Sequence, residues 1–236
     1  MLRSWPFGEA DLMVAVFTRE QGVVRGVARH AMRSRRRFGG ALEPMTHVRA
    51  TWAERPKQDV VRLDRFEIVW SPMSDAVSYD RATGLAFVAE VLEAALPDHA
   101  PDDDLFRLTL AAATCMQSGS VVLPSTYFAL WVTRLLGWMP ELNICAVSGE
   151  ALRGQDVFYS PQRDGLVTAR HRANGSTAFS AEAVAMAGQV FRLSLPVVLQ
   201  QQWQRTHVAE LRRFAVGLLE RHLEERLMSA RVLAKL

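Results

Sequence analysis

Apolar and polar residues alternate through the first 70 positions. Asp11 to Thr18 (DLMVAVFT) is rich in β-branched and aromatic residues. Val23 to Arg29 alternates, with Val23, Arg25, Val27 and Arg29 on one face. The polar stretch Arg19-Glu20-Gln21-Gly22 joins them, which predicts a hairpin. Residues 30–40 (HAMRSRRRFGG) are basic and end in glycine, so they predict a loop. Alternation returns over Thr46–Ala53, and Asp59–Trp70 predicts another strand pair or one long bent strand. Short strands without a long helix between them predict a small barrel or sandwich.

The period changes after Pro72. Leu85, Val88, Ala89, Leu92 and Leu96 recur at spacings of three and four, which predicts a helix over 74–96. Asp102, Asp103 and Asp104 then lead into a helix over 105–117; capping is the reading, with a metal cluster as its competitor. A third helix covers 127–138. Glycine and proline punctuate 141–178, where 157–160 and 166–170 predict short strands. A helix over 180–193, a break at Pro196 and one long helix over 207–236 complete the chain. The pattern is thus a β module of about 70 residues followed by a mostly α domain with one irregular insert.

Charge sharpens this division. The 236 residues carry a net charge of +3, yet residues 1–50 alone carry +5 and the remainder −2. Of 28 basic residues only Lys57 and Lys235 are lysines. At 49% hydrophobic and 22% charged, the chain has ample apolar content for a core. No apolar run approaches the ~18 residues that span a bilayer, and the first 20 residues hold no signal-peptide stretch. Two cysteines, Cys115 and Cys145, make neither a disulfide framework nor a four-thiolate zinc site. The expected compartment is a reducing cytoplasm.

The candidate chemistry lies in the basic module. Arg33, Arg35, Arg36 and Arg37 place four cations within five positions, and Arg25 and Arg29 share a strand face. Clustered guanidinium groups repel unless solvent or a polyanion offsets them, and their planar forks suit phosphate. Phe38 follows directly and offers either a stacking surface for a base or a core side chain. A β module with a basic loop and aromatics is the equipment of a single-strand-binding OB-fold; a solvated loop is the competing reading. No HExxH, P-loop or GxSxG motif occurs, which favours a binding protein over an enzyme. Cys145 and Ser148 keep C-x-x-C spacing without the second thiol.

Four stretches resemble the RecO family of bacterial recombination mediators. Leu2–Thr18 with REQGVVRGVAR is similar to that family's opening hairpin. Arg33–Pro44 resembles its basic loop, with Phe38, Gly40, Ala41, Leu42 and Pro44 in the tail. Phe128–Gly137 followed by Cys145–Glu150 resembles its helix and Cys-Ala-x-x-Gly segment, and His222–Val232 its C-terminal ending. The resemblance implies an α+β protein: an OB-fold β-barrel over 1–72, then a mostly α-helical domain over 73–236, with a degenerate zinc-ribbon-like insert at about 141–178. It implies a non-enzymatic, nucleoid-associated cytoplasmic protein that binds single- and double-stranded DNA and anneals complementary strands. It further implies contact with the C-terminal tail of single-stranded-DNA-binding protein (SSB), partnership with RecR, and help in loading RecA onto SSB-coated DNA.

The chain departs from the family in three places. Relatives with a zinc ribbon use two C-x-x-C pairs; here Cys145 stands alone, Ser148 replaces its partner, and the region of Arg170-His171 has no thiol. One thiolate and one imidazole are too few for structural zinc, so no metal and no cofactor are expected. Thr126 and Tyr127 replace two arginines that help receive the SSB tail in some relatives, leaving Arg134 nearby. Relatives also have several residues before the Leu-Arg of strand one, so this strand is expected to be truncated.

Two readings follow. In the first, Arg25, Arg29, Arg33, Arg35, Arg36 and Arg37 bind phosphates of DNA, with Phe38 stacking. In the second, the protein is an adaptor whose Leu130 and Arg134 present an apolar groove and a cation to an acidic, Phe-ended peptide. A processing enzyme whose catalytic residues converge only in the fold is a third, weaker reading.

Overall fold

The computed structural model describes residues 1–34, 36–54, 60–72, 74–117 and 119–236. They form two compact units, one of residues 1–125 with 225–236 and one of residues 126–224.

Unit one begins with five strands: β1 (Arg3–Phe7), β2 (Asp11–Thr18), β3 (Gly22–Ala28), β4 (His47–Ala53) and β5 (Val61–Trp70). They lie in the order β1-β2-β3-β5-β4. β1, β2 and β3 form an antiparallel meander, β3 pairs β5 in parallel, and β5 pairs β4 antiparallel. This is the OB-fold, as expected for the N-terminal region. Alternation decides the inside: Val14, Val16, Val24, Ala28, Val61, Leu63 and Phe66 fill the barrel. A Cβ at Gly26 would stand 2.6 Å from the Leu63 side chain, so glycine lets these core residues close over β3. The run ending at Trp70 is one strand, and register shifts against β4 bend the pair. Chain-start bonds help close the barrel: the Met1 amine donates to the Thr46 carbonyl at 3.0 Å, and the Met45 N–H to the Met1 carbonyl at 2.8 Å.

The helices of unit one start on side-chain caps. Ser78 Oγ accepts the Arg81 N–H at 3.2 Å ahead of α1 (Tyr79–Ala95). Asp102 accepts the Leu105 N–H at 2.9 Å ahead of α2 (Asp103–Cys115). Asp103 pairs with Arg19 and Arg107, and Asp104 with Arg107, so the triple aspartate consists of a cap and two ion-paired residues. α3 (Val122–Leu135) begins in this unit and continues into the next.

Unit two holds a small antiparallel sheet of β6 (Val157–Ser160), β7 (Gly165–Val167) and β8 (Thr177–Phe179), in the order β7-β6-β8. Three helices follow: α4 (Ala181–Val190), α5 (Leu195–Leu199) and α6 (Arg205–Leu223). Phe214 of α6 stacks on Phe179 at 4.8 Å and meets Tyr159 edge-on at 5.3 Å. Glu210 accepts hydrogen bonds from the Ser180 N–H at 3.1 Å and hydroxyl at 2.6 Å. Apolar and polar contacts together fix the sheet on α6.

The final helix predicted over 207–236 is in fact two helices. Glu224 takes a left-handed conformation (φ 57°), which ends α6, and α7 (Met228–Leu233) begins afresh and belongs to unit one. α7 packs on α1, where Glu90 accepts the Met228 N–H at 2.8 Å and the Ser229 N–H at 2.9 Å. A carboxylate at a helix start satisfies free N–H groups and opposes the helix dipole.

Candidate nucleic-acid interface

The arginine loop is anchored to the β1–β2 hairpin. Ala31–Arg33 form one 3-10 turn and Gly39–Leu42 another. The His30 N–H donates to the Asp11 carboxylate at 2.7 Å, and the Met32 N–H to the Ala10 carbonyl at 3.2 Å. These bonds hold Arg29, Arg33 and Arg36 exposed beside the hairpin. Arg37 is half-buried: its guanidinium donates to the Arg29 carbonyl and to Ser34 Oγ, and lies 5.2 Å over the Phe38 ring. Arg35 lies outside the described residues.

Two residues of the proposed phosphate set have other tasks. Arg25 is on the outer face of β3 as expected, but Asp98 holds it at 3.0 Å and Glu93 at 3.8 Å. Its charge is therefore largely answered within unit one. Phe38 is not a stacking surface. Its ring is 2% exposed and packs edge-on against Phe66 in the barrel core. A base cannot reach it, and core packing is the correct reading of this aromatic.

The peptide groove expected at Leu130 is also corrected. Leu130 is 0% exposed, so its side chain offers nothing to a partner. Arg134 is exposed, and its guanidinium lies 4.6 Å over Phe191 and 5.7 Å over Trp131. Tyr127 donates to the Leu193 carbonyl at 3.1 Å. The aromatic companions of Arg134 are therefore Trp131, one turn back in α3, and Phe191 at the end of α4, which a spacing argument within α3 cannot find.

The insert of unit two brings together the residues where a zinc ribbon would be expected. Cys145 Sγ lies 3.8 Å from His171 Nδ1, and Thr168 Oγ1 lies 3.1 Å from that nitrogen. The Ser148 hydroxyl, three positions from Cys145, donates to Glu150 at 3.2 Å. Cys145, Thr168 and His171 thus converge, with Ser148 three residues on from the cysteine. One thiol, one imidazole and two hydroxyls do not fit a structural zinc, which takes four nitrogen or sulfur donors. Among the described residues no group of three or more His, Cys, Asp or Glu is placed to hold a metal. Hydrogen bonds occupy the centre instead. Burial works to raise the pKa of Cys145, but the Ser148 hydroxyl and backbone bonds from Ser148, Val147 and Thr168 outweigh it and bring it down to about 6.

Sequence reasoning passed over Phe7 and Arg62. Phe7 is 49% exposed, and it lines a shallow pocket of about 290 Å³ with Met13, Val27, Arg29 and Arg62. The Arg3-x-Trp5-x-Phe7 alternation was the available signal. A larger pocket of about 480 Å³ lies between the barrel and α2, lined largely by apolar residues such as Phe17, Met45 and Phe106. Arg19, His47 and Arg49 are among its polar lining residues.

Comparison with known proteins adds a second line. Residues 1–72 match the family model for Recombination protein O N terminal, and residues 77–231 that for Recombination protein O C terminal. A DNA repair protein RecO of Koribacter versatilis (strain Ellin345) is 47% identical over 236 residues, covering 100% of this chain and 96% of the relative. A DNA repair protein RecO of Anaeromyxobacter sp. (strain K) is 34% identical over 171 residues, covering 72% of this chain and 67% of the relative. A third, from Synechococcus sp. (strain JA-3-3Ab), is 27% identical over 249 residues, covering 99% and 82%.

Proposed function

Since the chain belongs to the RecO family, with its role in DNA repair and recombination, we propose that it works as a non-enzymatic mediator. In this reading it binds single- and double-stranded DNA, anneals complementary strands and assists RecA loading onto SSB-coated single strands. The observation that carries the reading is the anchored loop: Arg29, Arg33 and Arg36 are exposed together on a turn fixed to the hairpin of an OB-fold. Annealing brings two polyanions together, and a dense guanidinium surface screens their repulsion. Arg25 and Arg37 support the loop and sheet more than they meet phosphate. No helix among the described residues is long and apolar enough to cross a membrane, consistent with a nucleoid-associated cytoplasmic protein.

A second reading, compatible with the first, concerns unit two. Arg134 over Trp131 and Phe191 supplies a cation beside aromatic surface, the chemistry that an acidic, Phe-ended SSB tail would use. RecR is a further partner in this reading. The deciding experiment is annealing of SSB-coated complementary oligonucleotides with and without this protein. Acceleration that depends on Arg33 and Arg36 supports the mediator; acceleration that survives their loss but fails with Arg134→Ala supports the adaptor. No acceleration at all overturns the annealing reading.

A further inference from the structure

The outer face of the barrel is covered at one end and bare at the other. Strand register fixes which residues share it. Arg3, Trp5 and Phe7 of β1 stand opposite Ala15, Met13 and Asp11 of β2. Ala15 and Met13 stand opposite Arg25 and Val27 of β3, and Val27 opposite Arg62 of β5. At the Ala15 end the face is closed. Ala15, Phe17 and Val23 are buried, Phe106 of α2 meets Phe17 edge-on at 5.7 Å, and Glu93 of α1 pairs with both Arg3 and Arg25 at 3.8 Å.

The opposite end has a different character. Phe7 is half exposed above the pocket floored by Met13 and Val27, while Arg29 and Arg62 form its rim. The Arg62 guanidinium also pairs with Asp64 at 3.1 Å, and Asp11 is held by the His30 N–H. The same His30–Asp11 bond, with the Met32–Ala10 bond, brings the arginine loop to this end of the sheet. Trp5 is nearby but already carries the Arg3 guanidinium 5.7 Å over its ring. Among the described residues of this face, Phe7 is therefore an aromatic ring left open, with Arg29 and the Asp64-paired Arg62 beside it and the Asp11 carboxylate also lining the pocket.

We propose that Phe7 is the base-stacking platform of a single-stranded DNA site, in which a nucleobase lies on its ring over Met13 and Val27. Phosphates of the same strand meet Arg29 and Arg62, and the strand continues toward Arg33 and Arg36. The match is one of shape and charge together: a flat apolar ring between evenly spaced anions suits an aromatic pocket with a guanidinium rim. Duplex DNA keeps the faces of its bases stacked inside and offers only base edges and phosphates, so it has no face to lay on an aromatic ring. The assignment rests on the proposed DNA-binding reading of the OB module and replaces Phe38 with Phe7 as the stacking residue.

The test compares three ligands of equal length on the full chain: oligothymidylate, an abasic oligomer, and duplex DNA. Phe7→Ala is expected to weaken oligothymidylate binding about 5- to 160-fold, the range for loss of one stacked base. Binding of abasic and duplex DNA is expected to be unchanged, and Phe7→Tyr to retain the full affinity. Because no charge is removed, the salt dependence on oligothymidylate stays as it was. Equal loss on all three ligands, or no loss on oligothymidylate, overturns the platform. So does a Phe7→Ala variant that breaks up a dimer with DNA affinity untouched, which would mark this face as a contact between copies. If the unaltered chain binds none of the three ligands, the DNA-binding reading itself fails.

Discussion

Phe38 and Phe66 meet edge to face inside the barrel, with ring centroids 5.7 Å apart and planes at 73°. This contact separates two roles that the RSRRRFGG sequence merges. Arg33 and Arg36 are exposed, while the phenylalanine pins their loop to the core. Phe38→Ala is accordingly expected to cost ~3–5 kcal/mol of stability, as large-to-small core substitutions do. Thermal or denaturant unfolding would measure the loss. DNA affinity per folded molecule should hold, and a selective fall in affinity for single strands without loss of stability would contradict this placement.

The arginines themselves divide by their partners. Arg33→Ala and Arg36→Ala should each reduce the slope of log affinity against log salt on single-stranded DNA by about 0.7, the value for one phosphate contact. Arg25→Ala should leave the slope nearly unchanged, since Asp98 and Glu93 already answer its charge. Binding titrations across a salt series distinguish the three. A slope change at Arg25 equal to that at Arg33 would mean its ion pairs open when DNA binds.

Glu90 holds the start of α7 through the Met228 and Ser229 N–H groups. Glu90→Ala leaves these groups without their acceptor and is expected to cost ~1–3 kcal/mol. Hydrogen exchange should quicken first across Met228–Leu233. Uniform protection across α7 in the variant would show that packing on α1 alone suffices.

The Cys145 centre makes unit two sensitive to pH. A thiol whose folded pKa is about 6, below its ordinary value near 9, stabilises the fold fully above the higher value. That stabilisation declines as pH falls and is gone below about 6. Stability is thus expected to rise between pH 6 and 9 through this group, and Cys145→Ala should flatten that rise. Unfolding curves measured across this range, read on a probe in unit two, give the comparison.

The same centre should accept metal once donors are restored. Ser148→Cys with Thr168→Cys supplies three thiols beside His171, a donor set that zinc takes in structural sites. One zinc per chain is expected in the double variant by metal analysis, with raised thermal stability that a chelator reverses. Failure to bind zinc would mean that the four positions do not converge closely enough.

Much of the fold was legible because burial on one side of a strand writes itself into alternation. β2 coincides with the predicted run from Asp11 to Thr18. β8 escaped because Thr177–Phe179 is three residues long and lies in a segment rich in turn formers. The division of the last helix escaped because Glu224, neither glycine nor proline, adopts the left-handed conformation that ends α6. At the candidate site, charge was readable and depth was not. Phe38 sits in a charged run yet points inward, whereas Phe7 sits on an edge strand and stays half exposed. The depth of Phe38 depends on its contact with Phe66 of β5, distant in sequence, and no local pattern carries that.

α7 has a consequence for how the protein comes into being. Residues 126–224 form a contiguous stretch of chain, synthesised before residues 225–236. Residues 1–125 are made first but their unit also includes 225–236. The barrel-bearing unit therefore receives α7 only after the whole of the second unit has been synthesised. A stalled or clipped nascent chain would carry an intact second unit beside an unfinished first one.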